Sequence, residues 1–171
     1  MRSTLLEKPC IRQWPRQVPD VRMAGPARFG SIVKFHPVEH FGQVFTPPEV
    51  VRQMLALRRN RGRVLEPSCG DGAFVREIQG DCVAIELDAR VAPPEALGMD
   101  FFAYPETERF DTVIGNPPYV RYRDILPETL ARLDSPLFDA RSNLYLFFIE
   151  KAVRHLKPGG ELIFIVPRDF I

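Results

Sequence analysis

Five short runs of apolar and β-branched residues follow residue 60, and each stops at or just before a glycine, a proline or a carboxylate. They are Arg63–Glu66, Cys82–Glu86, a weaker one near Ala96–Met99, Asp111–Gly115 and Glu161–Val166. Runs this short suit buried strands. Helical spacing separates them: apolar positions recur over Glu49–Arg59, Ala73–Gln79 and Leu144–Leu156. Thr46 is placed to cap the first of these, with Pro47 and Pro48 fitting a helix start, and Lys157-Pro158-Gly159-Gly160 closes the last. Residues 120–142 read as a long loop with some helix. Strands alternating with helices predict an α/β fold with a doubly wound, mainly parallel sheet.

A length of 171 residues suits one domain with a real core, and 45% hydrophobic with 26% charged residues is ordinary for a globular chain. A net charge of +1 argues neither for nor against a polyanionic partner. Residues 1–40 are locally basic and carry Pro9, Pro15, Pro19, Pro26 and Pro37, so they are expected to form a solvated arm or irregular lead-in, with the domain proper at 41–171. Cys10, Cys69 and Cys82 contain no C-x-x-C pair, which fits a reducing compartment. No apolar run approaches the roughly 20 residues that span a bilayer, and no signal-peptide core begins the chain, so the expectation is a cytoplasmic protein without a membrane partner. His36 and His40 flank a proline and do not form H-E-x-x-H, so no metal is expected.

In doubly wound sheets, ligands bind beyond the carboxyl ends of the strands. The turn Glu66-Pro67-Ser68-Cys69-Gly70-Asp71-Gly72 sits at one such end. Gly70 and Gly72 let the backbone approach a ligand, and the helix expected next offers free N–H groups. Glu86 ends the following strand, where a carboxylate can accept from ribose hydroxyls, and Asp100-Phe101 follows the third. Alone, the turn is equally a structural device. It is neither G-x-G-x-x-G nor a Gly-Lys-Ser/Thr phosphate loop, so a nicotinamide or nucleoside triphosphate fits poorly.

The fourth run ends in Asn116-Pro117-Pro118-Tyr119. A polar loop with a proline turn would account for it by itself. The chemistry suggests more. An exocyclic amino group on a base is a weak nucleophile because its lone pair is delocalised. Two acceptors, the Asn116 side-chain oxygen and the Pro117 carbonyl, can take its hydrogens and stabilise the charge that develops on attack. Pro117 and Pro118 stiffen the backbone, and Tyr119 offers a ring for stacking. A duplex base reaches such a pocket only when flipped out.

From about residue 41 to 171 the chain resembles S-adenosylmethionine-dependent adenine-N6 DNA methyltransferases, in the branch whose cofactor motifs precede the catalytic one. The stretches that carry the resemblance are "GQVFTPPEVVRQML", "VLEPSCGDGAF", "AIELD", "MDFF", "GNPPYVR" and "NLYLFFIEKAVRHLKPGGELIFIVP". It implies a Rossmann-like methyltransferase sheet with Thr46 near the cofactor's methionine moiety. Glu66 and the turn through Ser68, Cys69, Gly70 and Gly72 would hold the cofactor's amino-acid end, and Glu86 its ribose. Asp100 would accept from the adenine amino group, with Leu87 and Phe101 on its two faces. Asn116, Pro117, Pro118 and Tyr119 would bind the target base, and Arg121 or Arg123 would meet DNA phosphate.

The resemblance also implies DNA as partner, with a restriction endonuclease, fused or associated, and a target-recognition domain. Family members continue past the fifth strand with two more strands, a further aromatic for the flipped base and that domain. The expectation is therefore an incomplete domain, inactive or unselective alone, whose fifth strand is an uncovered edge. Ser68-Cys69 departs from the Gly-Thr-Gly of many methyltransferases. RNA adenine, cytosine N4 and protein glutamine remain alternative targets, as does a non-catalytic nucleic-acid-binding or assembly module.

Overall fold

The structure, a computed structural model, describes residues 20–23 and 44–167. Six strands, β1 (Asp20–Met23), β2 (Val64–Glu66), β3 (Cys82–Glu86), β4 (Leu97–Gly98), β5 (Phe110–Gly115) and β6 (Leu156–Phe164), form one sheet in the order β1-β6-β5-β2-β3-β4. Every pairing is parallel. Three helices are α1 (Pro48–Ala56), α2 (Pro127–Leu130) and α3 (Leu144–Arg154).

Strand alternation sends neighbouring residues to opposite faces, and the core divides accordingly. Val64, Ile114 and Ile163 pack with Val51 and Met54 of α1 and with Phe74. Leu65, Val113 and Leu162 pack on the other face with Leu144, Phe148 and Ala152 of α3. From β2 the chain winds one way through β3 and β4, then crosses back to β5 and β6. The direction therefore reverses between β2 and β5, where Val64 pairs with Thr112 and Leu65 with Val113. Glu66 and Gly115 thus end adjacent strands at the switch point.

The expected strands and the doubly wound class are present, with four differences. First, β1 lies inside the segment expected to be irregular, and it pairs along β6 from Asp20↔Glu161 to Met23↔Phe164. The fifth expected strand is therefore covered rather than an open edge. The rest of the expected basic arm, with His36 and His40, lies outside the described residues.

Second, Thr46 does not cap α1. Pro47 occupies the cap position without a side-chain hydrogen bond, and Pro48 opens the helix. Third, the helix expected over residues 73–79 is absent: turns run through residue 77 and residues 78–79 are irregular. The partners explain it. The Val75 N–H bonds the buried Glu66 carboxylate, and the Arg76 guanidinium takes the Asp71 carbonyl. A helix would have joined those two backbone groups to each other. Fourth, β6 begins at Leu156, opposite Phe110, and regains register at Glu161 opposite Thr112. The Lys157–Gly160 segment is the irregularity between, with Gly159 at a φ of 77°.

Candidate active site

One cleft opens over the carboxyl ends of β2, β3 and β5. Of the residues singled out from sequence, Thr46, Glu66, Ser68, Cys69, Gly70, Glu86, Leu87, Asp100, Phe101, Asn116 and Pro118 line it. Gly72, Pro117, Tyr119, Arg121 and Arg123 do not.

The Gly-rich turn is built for close approach. Gly70 and Gly72 take φ of 54° and 82°, which side chains with a Cβ rarely adopt. Gly72 packs behind the turn, where a Cβ would meet Pro93 at 2.9 Å. The Gly70 N–H donates to Glu86 Oε2 at 2.8 Å, and the Asp88 N–H to Oε1 at 2.8 Å. Glu86 therefore braces the turn as well as facing the cleft.

Glu66 is buried, 1% exposed, and its Oε2 has no hydrogen-bond partner. Burial, then the charges of Asp71 and Glu86, push its carboxyl well above the usual range, against the Val75 N–H and Arg76. An unpaired buried carboxyl oxygen on a cleft wall is a costly arrangement that a cationic or N–H ligand would relieve. Burial also pushes the Cys69 thiol up, which removes it as a thiolate nucleophile near neutral pH.

Asn116 is held from three directions. Its Nδ2 donates to the Val44 carbonyl at 3.1 Å and lies 3.4 Å from Thr46 Oγ1. That contact is what Thr46 does instead of capping. The Tyr119 hydroxyl lies 2.9 Å from Asn116 Oδ1 and 2.8 Å from the Ile165 carbonyl. One hydroxyl proton serves only one of these acceptors at a time. Tyr119 is half-buried, edge-on to Tyr145 at a centroid distance of 5.8 Å.

The two residues assigned to the faces of the cofactor's adenine differ in setting. Leu87 is 43% exposed over the cleft, but Phe101 is 2% exposed and packs on Phe148 at 5.1 Å and His155 at 5.5 Å. Phe101 presents little area to a ligand. Arg121 and Arg123 are exposed, and Arg121 Nε pairs with Asp124 Oδ2 at 3.0 Å.

Sequence reading passed over Val44, Phe45, Val120, Ile125, Thr129, Leu144 and Phe148, which also line the cleft. Leu144 and Phe148 were accessible to it, because they stand four apart on one face of α3. Phe148 belongs to the core and also lines the cleft. Thr129 carried no signal, because its partner lies 29 residues away. Among the described residues no cluster of three or more His, Cys, Asp or Glu could hold a metal, and no helix is long and apolar enough to cross a membrane.

A parallel sheet with its cleft at the β2–β5 switch point is a doubly wound fold of the kind that S-adenosylmethionine-dependent methyltransferases share. It resembles a putative class I S-adenosylmethionine-dependent methyltransferase from Listeria monocytogenes (TM-score 0.57, 21% identity, covering 83% of this chain and 50% of that one). It also resembles a modification subunit of a putative type I restriction enzyme from Vibrio vulnificus YJ016 (TM-score 0.52, 19% identity, 68% and 31% covered). The chain belongs to the Eco57I restriction-modification methylase family, whose model matches residues 84–171.

Similar curated proteins are Type II methyltransferase M.TthHB8I of Thermus thermophilus (39% identity, 76% of this chain and 35% of that protein) and Type II methyltransferase M.HincII of Haemophilus influenzae (32%, with 75% and 28%). The chain thus spans about a third of the length of these relatives.

Proposed function

We propose that this domain transfers a methyl group from S-adenosylmethionine to the N6 amino group of a flipped-out adenine in DNA, within a restriction-modification system. The observation that carries the reading is the shared cleft. Asn116 and residues 66–71 of the Gly-rich turn line the same cavity, with Asn116 Oδ1 oriented by bonds to its own amide nitrogen.

The residues present fit the cofactor's groups. Glu66, with its unpaired buried oxygen, suits the amino-acid end. Glu86, whose carboxylate ends β3 on the cleft wall, suits ribose hydroxyls. Asp100 suits a purine amino group, and Leu87 gives an apolar face. When bound, the cofactor supplies a methyl group activated by a sulfonium leaving group. The chain's own part is to hold the amine. Asn116 Oδ1 on the cleft wall accepts one hydrogen and favours a more pyramidal nitrogen, stabilising the positive charge gained on attack, and the Pro117 carbonyl, outside the cleft lining here, is the second acceptor once the loop moves onto the target base. Arg121 and Arg123 sit on the connection that follows and are the candidate phosphate contacts. The relatives' names, Type II methyltransferases, support DNA as the substrate and a restriction endonuclease as associated partner.

The test is transfer of labelled methyl groups to DNA, with the product nucleoside identified by mass spectrometry. N6-methyladenine supports the reading, whereas N4-methylcytosine or methylated protein alone would replace it. These 171 residues are expected to bind the cofactor unaided but to show no site-selective methylation. Selective methylation by the chain alone would contradict that. Glu86→Ala is expected to weaken S-adenosylmethionine binding by about 1–3 kcal/mol, through unpaired ribose hydroxyls and a loosened Gly70 turn. Calorimetric titration with the fold checked by circular dichroism decides it, and unchanged affinity would remove Glu86 from the site.

A further inference from the structure

The connection from the catalytic loop to α3 folds back over the cleft. Asp124, Ile125, Leu126 and Thr129 form part of its wall. The segment is anchored behind by the Leu144 N–H, which donates to the Val120 carbonyl at 2.9 Å. At its far end, Thr129 on α2 is 5% exposed, and its hydroxyl donates to Asp100 Oδ2 at 2.9 Å. The other carboxylate oxygen, Oδ1, accepts from the Phe102 N–H at 2.9 Å. Lys151 steadies the same turn from beneath by donating to the Phe102 and Tyr104 carbonyls at 3.0 and 2.9 Å.

A carboxylate turns easily about its terminal bond, so its orientation is set by its partners. Here a competing partner is already engaged: Arg132 Nη1 pairs loosely with Asp100 Oδ2 at 3.7 Å. Without the Thr129 hydroxyl, the carboxylate would swing toward that guanidinium. With it, Oδ2 is held by the Thr129 hydroxyl with Arg132 beside it, Oδ1 by the Phe102 N–H, and the carboxylate stays on the cleft wall.

We infer that Thr129 is a positioning residue for cofactor recognition: it holds the Asp100 carboxylate in the orientation that selects a purine bearing an amino group over one bearing a keto group. This rests on the cofactor reading above and assigns to it a specificity determinant from the segment that also carries Arg121 and Arg123. A site built to accept hydrogen bonds rejects an analogue that offers an acceptor instead, because both groups are then left unpaired.

The experiment compares the affinities of S-adenosylhomocysteine and S-inosylhomocysteine for the wild type, Thr129→Val, Thr129→Ser and Asp100→Asn. The wild type is expected to prefer the adenosyl ligand by at least about tenfold, and Thr129→Val to reduce that preference by at least about threefold, mainly by weakening the adenosyl ligand. Thr129→Ser, which keeps the hydroxyl, is expected to retain the preference. A purely structural Thr129 would weaken both ligands alike and leave the ratio unchanged, which overturns the inference. If Asp100→Asn abolishes the preference while Thr129→Val keeps it, only the role of Thr129 fails. If Asp100→Asn keeps it in full, the placement of the cofactor fails, and the inference with it.

Discussion

Asn116→Ala is expected to slow methyl transfer about 10²–10³-fold while cofactor affinity stays within about threefold, the pattern of a group that acts on the reacting atom rather than on the bound cofactor. The side-chain amide is fixed by its nitrogen, which bonds the Val44 carbonyl and approaches Thr46 Oγ1. Both of those partners precede α1, so the segment before the first helix sets the orientation of a residue about 70 positions later. With the nitrogen committed, Oδ1 points the other way, toward the Tyr119 hydroxyl. When Tyr119 gives its proton to the Ile165 carbonyl instead, Oδ1 is free to accept from a target amine. Burial pushes the phenol's ionisation upward, so Tyr119 remains a neutral hydroxyl through the physiological range.

Alanine removes the acceptor and leaves both prolines in place. Single-turnover transfer to a single-stranded oligonucleotide isolates the effect, because no base has to be flipped from a duplex. Loss of cofactor binding in step with rate would make Asn116 a scaffold residue. A rate within about tenfold of wild type would remove it from the chemistry.

The largest effect on stability is expected at Glu161. Its carboxylate is 2% exposed and accepts from the Arg59 N–H at 3.0 Å, the Asn60 N–H at 2.8 Å and the Thr112 hydroxyl at 3.1 Å. Asn60 then donates to the Asp111 and Gly159 carbonyls at 3.1 and 3.3 Å. One side chain therefore ties the α1–β2 loop to both β5 and β6. Glu161→Ala would strand two backbone donors and a buried hydroxyl, at a cost of about 3–5 kcal/mol.

Glu161→Gln keeps one acceptor oxygen and should lose roughly half of that. Urea unfolding is expected to show a lower midpoint at unchanged slope. A loss under about 1 kcal/mol would mean that water replaces the carboxylate, leaving it no structural role. The exposed pair Arg52–Glu49, at 2.8 Å with side chains 56% and 66% exposed, sits at the other end of the scale. Its removal should leave the urea midpoint essentially unmoved, because solvent screens an exposed pair.

These two residues show where sequence reading stops. Asn116 was legible because an amide followed by two prolines and an aromatic after a buried run is a local pattern with a chemical purpose. Glu161 looked like the polar first residue of a strand, and its three donors come from segments about 50 and 100 residues away. The turn at 66–72 was legible from its glycines. The missing helix after it was not, because it depends on Glu66 capturing the Val75 N–H, and propensity does not register a buried carboxylate competing for a backbone donor.

The pairing of β1 along β6 was equally hidden. Four residues among prolines carry little periodicity, and a neighbouring strand's unpaired edge is what recruits them. What the chain alone determined is whatever is local: which runs are strands, where the tight turns fall, and which residues bear acceptors at strand ends. Periodicity and turn chemistry act within a few residues. What only the tertiary structure decided is whatever needs two distant segments to meet: Val44 and Thr46 on Asn116, Thr129 on Asp100, Glu161 under the α1–β2 loop. Hydrogen bonds are directional and short, so their partners become known only when the sheet has set the distances.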